Sequence, residues 1–261
     1  MNRLLYIRNL AVPALCAIAL AGCDGCSSST DPKEPLITTP KPGSGFIYTY
    51  YNTDENDQPI ERTRQTTARS VIANGVTIMG KTDVVQYLED ADTISVHYEE
   101  DGDASFLQTP ITYPNDEFSG VPNLPLPSFT IPSRWVTFGY GSKTQMTIPS
   151  FDTVLATTIG GFPILINVQA TGTTMSLGDE NIMVNGESIA TNKGLLTVNV
   201  AFNASLLAAG TITTIDTIWF APKLGMFVKD DGFTRGNLPQ QFGGNRAFGG
   251  TFNALISYSM K

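Results

Sequence analysis

The sequence predicts an all-β protein: one strongly curved antiparallel sheet, an incomplete β-barrel, of about ten strands with at most one or two short helices. Three observations carry this expectation. Thr, Asn, Gly, Val, Ile and aromatic residues are plentiful while Lys, Glu and Leu are modest, a balance that suits a pleated, half-buried surface. Apolar and polar residues alternate with period two in segment after segment. Turn dipeptides such as Asp101-Gly102 and Asn185-Gly186 fall between those segments.

Taken in order, Phe46, Tyr48 and Tyr50 alternate with Ile47, Thr49 and Tyr51 in a first strand. Ile60–Ile72 reads as a long polar strand whose scarcity of apolar residues places it at an edge or rim. Asn74-Gly75 then marks a tight hairpin, because both residues accept positive φ. Lys81–Asp90 fits a helical turn or a strand through Val84, Val85 and Leu88. Ile94, Val96 and Tyr98 face one way in a half-buried strand, which turns at Asp101-Gly102 and is answered by Ala104–Gln108. Between 110 and 132 lie Pro110, Pro114, Pro122, Pro125, Pro127 and Pro132, so this stretch reads as a long loop. Its Val121, Leu124, Leu126, Phe129 and Ile131 either pack on the sheet or form a lid over a groove. Strands resume at Arg134–Tyr140 and Gln145–Ile148, and Ser150 to Gly161 is a candidate short helix capped by Ser150. The remaining segments read as a meander: Ile164–Thr171, Glu180–Val184, Glu187–Thr191, Leu196–Asn203, Thr211–Phe220, Met226–Asp230 and Phe252–Tyr258.

Ahead of the strands lies a different signal. Arg3 and Arg8 precede an apolar run from Leu10 to Gly22 that contains Pro13 and is shorter than the roughly 20 residues a bilayer span needs. Residues 1–22 therefore read as a secretory signal peptide. Leu20-Ala21-Gly22-Cys23 resembles the lipobox of bacterial lipoproteins. The resemblance implies that Cys23 is acylated, palmitate included, and becomes the new N-terminus, with the membrane as partner through two or three acyl chains. Residues 23–44 are rich in Ser, Thr, Pro and Gly and read as a flexible tether, leaving 45–261 as one antiparallel β domain. The expected location is the bacterial cell envelope, at the outer membrane or the periplasmic face.

Charge and composition exclude several classes. The net charge moves from −8 to −10 once Arg3 and Arg8 leave, and no basic run exists, so nucleic acid is not an expected partner. Once Cys23 is acylated only Cys26 remains, in the tether, so no disulfide framework is expected. His97 is the single histidine and shares the polar face of its strand with Ser95 and Glu99, a solvated position. One histidine and no spaced cysteines cannot build a zinc shell, and no nucleophile elbow, phosphate loop or dinucleotide fingerprint appears. Acidic turns at Glu99–Asp103 and Asp54–Asp57 could offer oxygens to Ca²⁺ but lack the spacing of a calcium loop. Neither a metal nor a cofactor is expected, and no catalytic residue is assigned.

One later stretch carries a second resemblance. Trp219-Phe220-Ala221-Pro222-Lys223-Leu224-Gly225-Met226-Phe227-Val228-Lys229 is similar to a Trp-Tyr-Ala-Pro-x-x-Gly-x-Val-Lys signature of bacterial envelope proteins of unknown function. Phe220 stands for the tyrosine and Phe227 is inserted before Val-Lys. Those proteins resemble the lipoprotein carriers LolA and LolB, whose half-barrel wraps an apolar concavity. The implied function is a non-enzymatic, lipid-anchored envelope lipoprotein that binds a lipid or other apolar ligand along Val198, Val200, Phe202, Ile218 and Trp219. Ordinary turn chemistry at Pro222 and Gly225 explains the same corner without a ligand. The alternatives are a cell-surface interaction or scaffolding domain with a filled core and, third, a carbohydrate-active enzyme.

Overall fold

The computed structural model describes residues 37–113, 127–159, 161–204, 208–240 and 244–261. Cys23, Cys26, the signal peptide and the middle of the Pro-rich loop, with Val121, Leu124 and Leu126, lie outside them. Among the described residues there are fourteen strands: β1 Gly45–Thr53, β2 Gln65–Ile78, β3 Lys81–Glu89, β4 Asp92–Tyr98, β5 Ala104–Gln108, β6 Ile111–Tyr113, β7 Phe129–Ile131, β8 Arg134–Phe138, β9 Gln145–Ile159, β10 Phe162–Val184, β11 Glu187–Ala204, β12 Ala208–Ala221, β13 Met226–Asn237 and β14 Asn245–Ser259. A single 3₁₀ turn, Glu61–Thr63, leads into β2.

Twelve strands form one antiparallel sheet in the order β8-β5-β4-β3-β2-β1-β14-β13-β12-β11-β10-β9. The expected all-β class and curved antiparallel sheet hold, with more strands than the sequence suggests. The sheet is a meander except where the first and last strands pair and where β5 meets β8 across the Pro-rich segment. It curls until its two edges meet through side chains: Arg134 on β8 donates to the Pro149 carbonyl on β9, and Thr174 on β10 to the Thr137 carbonyl on β8. The result is a nearly closed barrel.

Alternation decides what faces inward. On β10 and β11 the even residues Ile166, Val168, Ala170, Leu196, Val198, Val200 and Phe202 are buried, while odd neighbours face out. The β6–β7 ribbon at the base of the Pro-rich segment packs Phe129 and Ile131 into that same core, so the part of the loop that is described lies on the sheet.

Three local expectations are corrected, and one open alternative is resolved. β2 lies between β1 and β3, not at an edge. It needs few apolar residues because Thr66, Ala68 and Ser70 face water, as one face of an antiparallel sheet can. Asn74-Gly75 does not turn the chain: Gly75 takes φ 71° inside β2, and the reversal falls at Met79-Gly80. That register sets Val71 opposite Tyr87 and Val76 opposite Val84, so that Val71, Tyr87 and Val84 are buried. Lys81–Glu89 is strand throughout. Ser150 to Ile159 continues β9 instead of forming a helix, because its residues 151–159 pair fully with β10 and are rich in β-branched side chains. Asn185-Gly186 and the Tyr98–Ala104 hairpin form where the sequence places them.

The folded domain also starts earlier than the composition suggests. Ile37, Pro40 and Ser44 are buried, the Thr38 N–H donates to the Pro222 carbonyl, and the Gly43 N–H to that of Val71.

Candidate functional site

Val198, Val200, Phe202 and Ile218, the residues expected to line an apolar groove, all sit in the barrel core at 7, 2, 7 and 5 % exposure. That core also holds the aromatic stack Phe138–Tyr140–Phe220, with successive ring centroids 5.2 and 5.6 Å apart, joined by Phe106 and Phe227. Trp219 follows Ile218 by one residue and so faces away from it. Its indole, 5 % exposed, is buried in a second apolar cluster with Val184, Ile189 and Leu224. The ammonium groups of Lys193 and Lys229 lie 4.8 and 4.1 Å from the ring centre, and Nε1 donates to Glu180 at 2.9 Å. The expectation set both residues on one lining; period two separates them.

The Ala221–Met226 corner closes one end of the barrel. Tyr87 and Tyr98, from strands on the far side of the curl, both donate to the Gly225 carbonyl, and Tyr48 donates to that of Phe227 at 2.7 Å. Burial pushes the hydroxyls of all three tyrosines up from their ordinary pKa, so they stay protonated donors. Gly225 is required by contact as well as by its φ of 57°: a Cβ there would stand 2.2 Å from the Thr38 carbonyl oxygen.

Where β12, β13 and β14 face inward, the lining turns polar. Asp216 pairs with Gly232 and Ile218 with Asp230, so the two aspartates are diagonal neighbours on one face. Asp230 accepts both carboxylate contacts from Asn253 Nδ2, at 2.9 and 2.8 Å. Arg69 lies over the Tyr48 ring and pairs with Glu89 at 2.8 Å. Burial, then the Asp230 charge, pushes the Asp216 carboxyl up to about 8. Burial pushes Asp230 up to about 6 against the opposing pull of Arg69. Asp216 Oδ1 and the Tyr140 hydroxyl are buried with no hydrogen-bond partner. Chemically this is a pair of carboxyls that hold protons well above the ordinary aspartate range.

The acidic turns are committed to structure. Asp103 Oδ1 accepts the N–H groups of Gly141 at 2.8 Å and Ser142 at 3.1 Å, tying the β4–β5 turn to the β8–β9 turn. Asp54 Oδ1 accepts from Asn56 and Gln58, and these backbone bonds hold its carboxyl below the usual range. His97 is half-buried instead of solvated: its Nδ1 lies 2.7 Å from the Thr82 carbonyl and its Nε2 3.1 Å from Glu99. Among the described residues no three His, Cys, Asp or Glu side chains gather as a metal shell.

The outer face carries a feature that sequence reasoning missed. Across β9–β13 the register aligns Asp152, Gln169, Ala201, Thr211 and Asn237 in one row. Val154, Asn167, Asn203 and Ala209 make the next. Together these rows line a hollow of about 640 Å³. A second hollow of similar volume shares Thr211 and Asn237 and runs on to Arg235, Asn245 and Arg246. Gln169 Nε2 donates to Asp152 at 2.9 Å. Asn167, Asn203 and Asn237 make no side-chain hydrogen bond among the described residues.

Comparison of the chain with protein-family models, with curated proteins and with solved structures finds no match, so its geometry is the ground on which a function is argued.

Proposed function

We propose that this chain is a non-enzymatic, lipid-anchored lipoprotein of the bacterial cell envelope, acylated at Cys23, whose barrel presents its binding surface on the outside. The signal-peptide and lipobox pattern at residues 1–23 supports the anchor. One observation carries the rest: the residues that would line an internal apolar groove are locked into a core that rings already occupy, with Phe220 and Tyr140 fully buried. An acyl chain could enter only by displacing that stack, and large core displacements cost several kcal/mol. The interaction or scaffolding class therefore fits better than an internal lipid carrier.

Two measurements test the proposal. Radiolabelled palmitate should enter the wild-type chain and not Cys23→Ser, which should leave the membrane fraction; a variant that stays on the membrane overturns the anchor. Native mass spectrometry of the lipidated protein, with titration of a fluorescent fatty acid, should show the acylated polypeptide alone and no saturable uptake. A co-purifying lipid, or uptake abolished by Val200→Trp, would instead establish a carrier.

A further inference from the structure

We infer that the hollowed outer face of β9–β13 is a binding site for a neutral saccharide chain. This rests on the outward-facing reading above and gives that surface its ligand class. Asn167, Asn203 and Asn237 each carry a donor and an acceptor on one rigid amide, the combination that meets a pair of neighbouring sugar hydroxyls. All three are exposed and uncommitted within the described structure. Thr211 adds a hydroxyl between them, and Gln169 is already oriented by Asp152.

Between these polar groups the floor is apolar and shallow. Ala201 and Ala209 leave room above the backbone, and Val154, 59 % exposed, forms a wall. A pyranose ring presents hydroxyls at its rim and C–H groups on its faces, so a surface that alternates amides with small apolar residues complements it. The scaffold is rigid as well. The residues stand on paired strands about 4.8 Å apart, backed on the inner face by buried Val168, Phe202 and Ile212.

Size and charge narrow the ligand further. A hollow of about 640 Å³ falls in the range of small-molecule sites, and its continuation past Asn237 toward Asn245 suits a chain over a single ring. Asp152 is the one charged group lining the first hollow, and Glu55, Arg235 and Arg246 line its continuation, so two acidic and two basic side chains balance across the site and a neutral ligand suits it. Peptide recognition by strand addition would use backbone edges, whereas this hollow lies on a sheet face.

Isothermal titration of the mature protein with maltohexaose, cellohexaose, laminarihexaose and chitohexaose tests the inference. At least one should bind saturably at millimolar concentrations. The double variant Asn167→Ala/Asn203→Ala should weaken that binding by roughly tenfold or more, as loss of hydrogen bonds to a hydroxylated ligand implies, with Tm unchanged. Thr66→Ala, on the outer face of β2, should bind as the wild type does. No saturable binding across the panel, or undiminished binding by the double variant, overturns the saccharide site. Uptake of the fluorescent fatty acid by the same preparation would overturn the filled-barrel reading separately.

Discussion

Replacing Asp216 by asparagine should flatten the pH dependence of stability. In the folded barrel the Asp216 carboxyl is pushed from 3.8 up to about 8 and Asp230 from 3.8 up to about 6, in both cases first by burial. A carboxyl with a raised folded pKa retains a proton that the unfolded chain has released, so folding stability falls as pH rises. The stabilising effect is complete below about pH 4, the unfolded value, and is lost as pH climbs through the folded values. Each retained proton is worth about 1.4 kcal/mol per pH unit. Both carboxyls contribute to the slope up to about pH 6, and Asp216 alone from there to about pH 8. Both residues keep some exposure, so the realised slope lies below that ceiling.

The charged and titratable groups facing the pair are Arg69, Tyr48, Glu89, Asp231 and Tyr140; burial raises the Asp231 carboxyl as well, and its contribution to the slope is the same in the wild type and the variant. The amide introduced by Asp216→Asn would be neutral at every pH, similar in shape to the protonated acid, and still able to accept the backbone hydrogen bond from Asp231. Urea unfolding of the wild type and Asp216→Asn at pH 5, 6, 7 and 8 provides the assay. At pH 5 the two should agree within about 1 kcal/mol, the scale of a single neutral hydrogen bond. At pH 8 the variant should be the more stable, by up to a few kcal/mol on the same slope. Parallel curves, or a variant that is less stable at pH 8, would refute the reasoning and place the Asp216 carboxylate in contact with water.

Other perturbations address the core and the corner. Gly194→Ala would set a Cβ 2.6 Å from Phe138 Cδ1 and 2.9 Å from Tyr140 Cε1. Because those rings are stacked and fully buried, the variant should lose about 1–3 kcal/mol by calorimetry; an unchanged Tm would show a looser core. Tyr87→Phe with Tyr98→Phe strips the Gly225 carbonyl of both its hydroxyl donors. The pair should cost about 1–3 kcal/mol, more than either single change, as an orphaned buried acceptor implies. Lys229→Met removes the ammonium 4.1 Å from the buried Trp219 ring and should cost about 1–2 kcal/mol, since Lys229 is itself half-buried, readable as a shift in tryptophan emission.

What was legible in the sequence is what period two encodes. Leu196, Val198, Val200 and Phe202 alternate with Thr197, Asn199, Ala201 and Asn203, and the first four are buried. The Asn185-Gly186 reversal lies between two segments that pair residue for residue. Asn74-Gly75 misled because a turn dipeptide reports local backbone preference, whereas register is settled by burying Val84 and Tyr87 several residues away. On β12 both faces look apolar, Ile212 and Ile218 on one and Ile215 and Trp219 on the other, so nothing local marks Asp216 as inward. The outer hollow left no local trace at all: its amides are single residues on separate strands, and only the pairing of β9 through β13 brings them side by side.

The fold also separates the two ends of the domain. The described chain begins beside the corner, where Thr38 donates to the Pro222 carbonyl and Gly225 touches Thr38 and Pro40. The hollow is lined by Thr211 and Asn237, at the opposite ends of the two strands that leave that corner. From Thr211 to Ala221 is ten residues of strand, about 33 Å at the rise of an antiparallel ladder. The described chain thus enters the barrel at its tyrosine-pinned end, and the outer hollow lies at the far ends of β12 and β13 from that entry. The three tyrosine hydroxyls and the Phe138–Tyr140–Phe220 stack tie β1, β3, β4 and β8 to the corner across the interior. Loosening the corner should therefore lower stability without altering the affinity of the distal face, whereas changes to Asn167 and Asn203 should do the reverse.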